Sequence, residues 1–327
     1  MKLNLALLVG GYSKEHEISL RSGQQIANSL DSKKYNIYLI VIDKENWYCL
    51  WNNKKINVDR SNFTITVDGE VVKFVLVMPM IHGTPGEDGK IQAYLDMLKI
   101  PYTGCDMFAS AVTFNKYYCK AIVENAGIPV AKSIFLKNNN INPEYVVENI
   151  GLPCFVKPNK NGSSVGVTKV KTKEDLLNAV DNAFKEDNEV LIEEFVPGRE
   201  FSCGIYNDNG QIIVLPITEI VSKNEFFDYE AKYTPTKSDE ITPADINQDL
   251  QITIYAYTNL IYQTLNCKGV VRVDFIANDK KICFLEVNAT PGMSAESIIP
   301  KQLEHYGKTM TELLEVVIAE ALNNKSI

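Results

Sequence analysis

Apolar residues in the first hundred positions fall in short blocks separated by amphipathic stretches, the mark of strands alternating with helices. The block "LNLALLV" predicts a buried strand that turns at Gly10-Gly11. Helical spacing follows from about Ser13 through "EHEISLRSGQQIANSL", and "YNIYLIVI" predicts a second strand. The polar segment 52–72, with scattered β-formers, predicts a small hairpin excursion. "KFVLVMPMI" then runs to His82-Gly83, and "DGKIQAYLDMLKI" has helical spacing before "PYTG". Such alternation implies a mostly parallel sheet with ligands near the carboxyl ends of its strands.

The pattern changes near Gly104. "FNKYYCKAIVENAG" predicts a helix closed by Gly127, "IPVAKSIFL" a strand, and "PEYVVENIG" a short helix ending at Gly151. "PCFVKP", a Gly/Ser loop and "VGVTKVKT" predict an antiparallel hairpin, followed by the helix "KEDLLNAVDNAF" and the strand "EVLIEEFV". From about 191 strands dominate, as "REFSCGIY", "QIIVLPITEI", "GVVRVDFIA" and "KICFLEVNA", broken by one long helix, "NQDLQITIYAYTNLIYQTLN". The expected division is an N-terminal unit over 1–103, a central unit over 104–190 and a C-terminal unit over 191–327.

A chain of 327 residues exceeds what one compact core usually serves, which agrees with that division. Its formal charge of −8 argues against a nucleic-acid partner, although a local basic pocket for a small anion stays open. The apolar run in "MKLNLALLVGG" is too short to span a membrane and meets Gly-Gly rather than a cleavage site, so no membrane or export role is expected. Seven scattered cysteines, several inside apolar runs such as "LPCFV", suit reduced core thiols of a cytoplasmic protein. Three histidines leave scarcely any ligand set for zinc.

Three stretches carry candidate chemistry. "KPNKNGSSVGV" at 157–167 has lysines, serines and glycines but no Gly-Lys-Ser/Thr, and it joins two strands. It therefore lacks the helix N-terminus of a P-loop, and its amides and hydroxyls would instead lie as a flap over a triphosphate, with Lys157 beneath. An ordinary solvent hairpin is the alternative. "VVRVDFIANDKKICFLEVNA" sets Arg272 and Asp274 on one strand and Glu286 and Asn288 on the next, each pair on one face. A three-residue turn near 279–281 puts Asp274 opposite Glu286, whereas a two-residue turn misses by one. Oxygen donors alone suit a hard cation such as Mg²⁺. "VLIEEFVPGREFS" ends a strand at Glu193-Glu194-Phe195-Val196, where backbone groups would meet a purine edge and Glu200 a ribose.

Taken in order, "GGYSKEHEISLRSG", "HGTPGEDGKIQ", "KPNKNGSSVGV", "DYEAKY" and "EVNATPGMS" resemble the D-alanine–D-alanine ligases of the ATP-grasp superfamily, over nearly the whole chain. The resemblance implies a mixed α/β ATP-grasp architecture. Its parts would be a parallel Rossmann-like N-terminal domain, a small α+β centre and a C-terminal domain on an antiparallel sheet. It implies ATP bound by Lys116, Lys157, Ser163, Ser164, Glu193, the backbone of Glu194, Phe195 and Val196, Glu200 and Lys232. Asp274, Glu286 and Asn288 would hold two magnesium ions, with manganese as the alternative. Glu15, with His82 nearby, would take the first D-alanine, and Ser297 the carboxylate of the second. Arg272 and the Gly292 N–H would hold the oxyanion. Tyr233, on a lid from Phe226 to about Pro243, would meet Ser163 and Glu15 and favour an amine acceptor. A homodimer through the N-terminal domain is also implied.

Asn115, Ser294 and Glu194 depart from the commonest residues at their positions without removing a ligand. A ligase for another amino acid or for a hydroxy acid shares the ATP motifs, but Glu15, His82, Tyr233 and Ser297 argue against it. A non-catalytic nucleotide-binding regulator predicts erosion of Arg272 or the metal set, all of which are intact. A dinucleotide oxidoreductase, prompted by Gly10-Gly11, lacks G-x-G-x-x-G.

Overall fold

A computed structural model describes residues 2–52, 54–162, 164–222 and 238–323. The opening strand β1 (Leu3–Gly10) is buried on both faces from Leu5 to Val9, as a continuous apolar block requires. Helix α1 (His16–Ser29) leads to β2 (Tyr35–Ile42), β3 (Trp47–Trp51), β4 (Lys54–Asn57), β5 (Thr64–Val67), β6 (Glu70–Lys73) and β7 (Leu76–Pro79). The first sheet has the order β4-β3-β2-β1-β7, with β1 parallel to both β2 and β7. The excursion expected over 52–72 is two hairpins. The first starts earlier, because aromatic β3 packs inward and Trp47 meets Phe63 edge-on at 6.5 Å. The second turns at Asp68-Gly69, where both residues have positive φ as a two-residue turn demands.

Helix α1 begins at His16 rather than Ser13. The Gly11 N–H donates to Ile42 O (2.7 Å), the Tyr12 N–H to Thr84 O (2.9 Å) and Ser13 Oγ to His82 O (2.8 Å), which holds 11–13 as a loop and leaves Glu15 at the N-cap.

Helices α2 (Lys90–Met97), α3 (Met107–Phe114) and α4 (Lys116–Asn125) follow. Asn115 ends α3 and caps α4, its side chain accepting from the Tyr118 N–H, so the helix expected from Phe114 begins afresh at Lys116. Strand β8 (Ser133–Leu136), α5 (Pro143–Asn149), β9 (Cys154–Pro158), β10 (Thr168–Val170), α6 (Leu176–Phe184) and β11 (Val190–Glu194) complete an antiparallel sheet of order β10-β9-β11-β8. This second sheet extends to Glu194, past residue 190.

The last region comprises β12 (Arg199–Asp208), β13 (Gln211–Val214), β14 (Thr218–Ser222), β15 (Ser238–Ile241), α7 (Gln248–Thr264), β16 (Val271–Ala277), β17 (Ile282–Asn288), α8 (Ile298–Tyr306) and α9 (Met310–Asn323). "QIIVLPITEI" splits into β13 and β14 around Pro216, which cannot donate to a ladder, and the two halves pair with different ends of β12. Three helices cross the expected boundaries. Ala109 of α3 and Cys119 and Val123 of α4 pack with Phe201, Val273 and Phe275 of the third sheet. Leu313, Leu314 and Val317 of α9 return to Leu5, Leu7 and Ile26 beside the first sheet.

Phe284 is buried in the third sheet's core, edge-on to Phe275 at 6.5 Å. Phe284→Ala is expected to lower the unfolding free energy by about 3–5 kcal/mol, read by chemical denaturation. Among the described residues no helix is long and apolar enough to cross a membrane. All seven cysteines are free thiols and buried.

Candidate active site

Groups from the second and third sheets and from α1 and α4 meet at one place, and the β16–β17 hairpin contributes the third sheet's share. Its turn is a two-residue one, with the Asn278 N–H donating to Lys281 O (3.0 Å) and Ala277 paired with Ile282. By itself this register would place Asp274 opposite Leu285. A β-bulge between Asp274 and Phe275 shifts the pairing by one residue and brings Glu286 opposite Asp274 and Asn288 opposite Arg272. Bulges re-aim side chains, and here the bulge gathers the acidic and amide groups on one face.

Asp274 is the hub of that face. Arg272 Nε and Nη2 donate to its two oxygens at 2.9 and 2.8 Å, Asn288 Nδ2 donates at 2.9 Å, and Ser202 Oγ of β12 also donates to it. Burial disfavours the Arg272 charge, but Asp274 and Glu286 outweigh it and hold the guanidinium above its usual range. Glu286 pairs with Lys116 at 3.4 Å. The donor set Asp274, Glu286 and Asn288 is all oxygen, with two carboxylates and no His or Cys, and so fits a hard divalent cation.

Lys116 Nζ also donates to Asn161 O in the Gly/Ser loop at 2.7 Å. That loop is fastened by fully buried Asn159. Its Nδ2 donates to Glu189 (2.7 Å), while its backbone and side-chain oxygens accept from the Lys116 and Tyr117 N–H groups. Lys160 is turned away from the cleft, paired with Glu189 at 3.2 Å and Asp187 at 3.5 Å. Ser164 takes a left-handed φ of 56°. At the loop's tip a Cβ on Gly162 would lie 2.9 Å from Glu15 Oε2, so the loop seats directly on Glu15 at the N-cap of α1.

Behind the loop, Glu193 is buried between two lysines. Lys157 pairs with one of its oxygens and Lys120 with the other. Burial alone would raise the Glu193 carboxyl, yet the two ammonium groups bring it down to about 2. Glu194 points elsewhere. Its carboxylate accepts from Lys281 Nζ and the Lys132 N–H, each at 3.1 Å, and its own N–H donates to Lys132 O. The sheet therefore uses the amide expected for a purine edge. Lys169 Nζ lies 4.2 Å over the Phe195 ring, Val196 is buried, and Glu200 is the second residue of β12, paired with Ile220 of β14.

His82 is buried, and its Nδ1–H donates to Thr290 O at 3.1 Å, so Nε2 accepts from Ser22 Oγ at 3.4 Å. Burial pulls its pKa below the ordinary value and keeps the ring neutral. Ser22 Oγ in turn accepts from the Met293 N–H, tying α1 to the 289–297 loop. In that loop Gly292 approaches Ser297 closely and Ser294 Oγ lies 2.9 Å from Ser297 Oγ. His16, unassigned by the sequence, is structural: its Nδ1–H donates to Gly11 O at 3.1 Å. Ser163, Lys232, Tyr233 and the 226–237 part of the expected lid lie outside the described residues.

Pattern reading missed Glu87, although it stands in "HGTPGEDG". The Gly83 N–H donates to it at 2.6 Å. Burial pushes its carboxyl up to about 8, and the charge of Glu15 adds to the rise. The folded chain thus keeps a proton there that an unfolded carboxyl, near 4.5, gives up. Its contribution to stability is greatest below about 4.5 and is lost as pH rises towards 8. Glu87→Gln, which never ionises, should gain in melting temperature relative to the parent as pH is raised across that window. A constant difference would contradict the assignment.

The family model described as D-ala D-ala ligase N-terminus matches residues 4–105, and that described as D-ala D-ala ligase C-terminus matches 122–319. A D-alanine–D-alanine ligase of Flavobacterium johnsoniae is 46% identical over 321 residues, covering 98% of this chain and 99% of that protein. The crystal structure of D-alanyl-alanine synthetase A from Vibrio cholerae superposes with a TM-score of 0.90 at 31% identity, covering 99% of both chains. A D-alanine–D-alanine ligase from Bacillus anthracis complexed with ATP matches at 0.78 and 26% identity, covering 99% of this chain and 98% of that one.

Proposed function

The chain belongs to the D-alanine–D-alanine ligase family, and from that membership we propose that it joins two D-alanines into D-alanyl-D-alanine for peptidoglycan synthesis, converting ATP to ADP and phosphate. The observation that carries the reading is one junction. Gly162 of the Gly/Ser loop lies against Glu15, and Lys116 bridges that loop to Glu286, so α1, α4 and the second and third sheets meet around a single reacting centre.

In the first step a carboxylate oxygen of one D-alanine attacks the γ-phosphorus, ADP leaves, and an acyl phosphate forms. The amine of the second D-alanine then attacks the acyl carbon, a proton is lost from nitrogen, and phosphate departs. The chain supplies position and charge rather than a nucleophile. Lys157, Lys116 and the Gly/Ser loop with Ser163 and Ser164 would cradle the phosphates. Glu193, the Glu194–Val196 backbone, Glu200 and Lys232 would take the nucleoside. The fit at Glu194 is through its carbonyl, since its amide is used by Lys132.

Glu15, at the N-cap of α1, would hold the ammonium of the first D-alanine, with neutral His82 fixing the wall behind it. Arg272 donates two N–H groups to Asp274, which leaves three of its five that, with the Gly292 N–H, would hold the oxyanion. Ser297 would receive the second carboxylate. Tyr233 and Ser163 are assigned to the closure over Glu15 by resemblance. Magnesium held by Asp274, Glu286 and Asn288 would neutralise phosphate charge. Homodimerisation and a cytoplasmic location belong to the same reading, the latter supported by seven unpaired thiols.

The test is phosphate release from ATP with D-alanine, L-alanine, or D-alanine plus D-lactate, with product mass determined. D-alanine alone should suffice and give the dipeptide. A depsipeptide preferred at neutral pH would overturn the acceptor assignment, and no turnover with any of them would overturn the reading.

A further inference from the structure

Resting on the reading of this cleft as a nucleotide site, we infer that Lys120 is a positioning residue for ATP: it is the permanent counter-ion of Glu193, and its presence lets Lys157 leave that carboxylate for the phosphates. Glu193 divides its two oxygens between the lysines, Oε1 to Lys120 and Oε2 to Lys157. The two cations are not equivalent. Lys120 projects from the buried face of α4 between Cys119 and Val123, is 4% exposed, and spends a second N–H on Ala131 O at 2.8 Å. Lys157 comes from the strand that runs into the Gly/Ser loop, and its side chain is more than twice as exposed, 13% against 5%.

One buried carboxylate with two ammonium groups carries a net positive charge. With Lys157 as its only partner, Glu193 would become a bare buried anion whenever Lys157 moved to a phosphate. That penalty would hold Lys157 back and weaken ATP binding. With Lys120 fixed in place, Lys157 moves and Glu193 stays ionised. An ionised carboxylate only accepts hydrogen bonds, which suits the amino group of adenine. The arrangement thus separates two tasks that one lysine would have to share. Lys120 occupies the position four residues after Lys116, so one helix face presents a cation to the Gly/Ser loop and another to the strand behind it.

The test compares Mg-ATP affinity of the full chain and its variants by calorimetry, with KM for D-alanine measured alongside. K120M should weaken ATP binding about ten- to a hundredfold, with KM for D-alanine at the parental value. The double variant K120M/E193Q removes both charges, frees Lys157 and keeps an amide oxygen that accepts from the nucleoside, so it should bind ATP more tightly than K120M and as tightly as E193Q alone. Parental ATP affinity in K120M would overturn the inference. Equal weakness in K120M and in the double variant would also overturn it, because a packing role predicts no recovery. Should K120M alone not fold, the double variant buries no lone charge and carries the test against E193Q, with equal ATP affinity expected and weaker affinity counting against Lys120. A parental chain that binds no ATP would instead overturn the nucleotide reading on which the inference rests.

Discussion

Lysine in place of Arg272 should lower kcat about a hundred- to a thousandfold while leaving KM for ATP nearly unchanged. Arg272 is held by two parallel hydrogen bonds to Asp274, and Asp274 is itself fixed by Asn288 and Ser202. The planar guanidinium can satisfy that carboxylate along one edge and present its remaining N–H groups along the other. An ammonium on a shorter, flexible stem offers three donors from one point and cannot do both. It keeps the charge near Asp274 and Glu286, so the ground-state electrostatics survive. What it loses is a fixed donor where negative charge develops on the acyl oxygen. A coupled assay for ADP at saturating ATP and D-alanine separates the two quantities. A kcat within about tenfold of the parental value would place the oxyanion elsewhere, since a single preorganised donor of this type contributes more than that.

The pairing of Asp274 with Glu286 marks the boundary between what residue patterns disclose and what they do not. Alternation put Arg272 and Asp274 on one face of their strand and Glu286 and Asn288 on one face of theirs, and the four do meet. The route differs. The turn is the two-residue kind that misses by one, and a bulge at Asp274/Phe275 corrects it. A bulge depends on how Leu285 is accommodated against its neighbours, and a period-of-two reading cannot sense that. Pro216 gave a visible signal for breaking "QIIVLPITEI", but the choice of partner strand belongs to the sheet. Helix α3, "MFASAVTF", escapes periodicity because its exposed face carries Met107 and Phe108 while Ser110 and Thr113 are buried, so polarity does not mark the two faces.

Buried charge was least legible. Glu87 and Lys120 look like ordinary surface residues in one dimension. Only packing shows that Glu87 sits near Glu15 and that Lys120 lies under Glu193. Lys160, inside the Gly/Ser stretch, is held by Asp187 and Glu189. The order of motifs along the chain disclosed the family. The electrostatic wiring between motifs required the second and third sheets and the helices α1 and α4 to be brought together.

Alanine at Gly292 should reduce kcat/KM for D-alanine by about a hundredfold with ATP affinity preserved. A Cβ there would lie 2.7 Å from Ser297 Oγ and 3.4 Å from Ser297 Cβ, so glycine is required for a close approach. The neighbourhood has little give. The Ser297 N–H donates to Ser294 O at 2.9 Å, the two hydroxyls are 2.9 Å apart, and Ser297 stands at the N-cap of α8. The Met293 N–H is further tied to Ser22 of α1. A methyl group at 292 must therefore displace either the Gly292 N–H or the Ser297 hydroxyl. Either movement separates the proposed oxyanion donor from the group proposed to receive the second carboxylate, and a misplacement of about 1 Å is enough for a hundredfold loss. Adding Ser297→Ala removes the oxygen that the methyl meets. The double variant should regain kcat at saturating D-alanine while KM for D-alanine stays high, because the clash is relieved but the carboxylate partner is gone. If Gly292→Ala keeps the parental kcat/KM, or if the double variant is no faster than the single, the close approach at 292 is not what positions the second D-alanine.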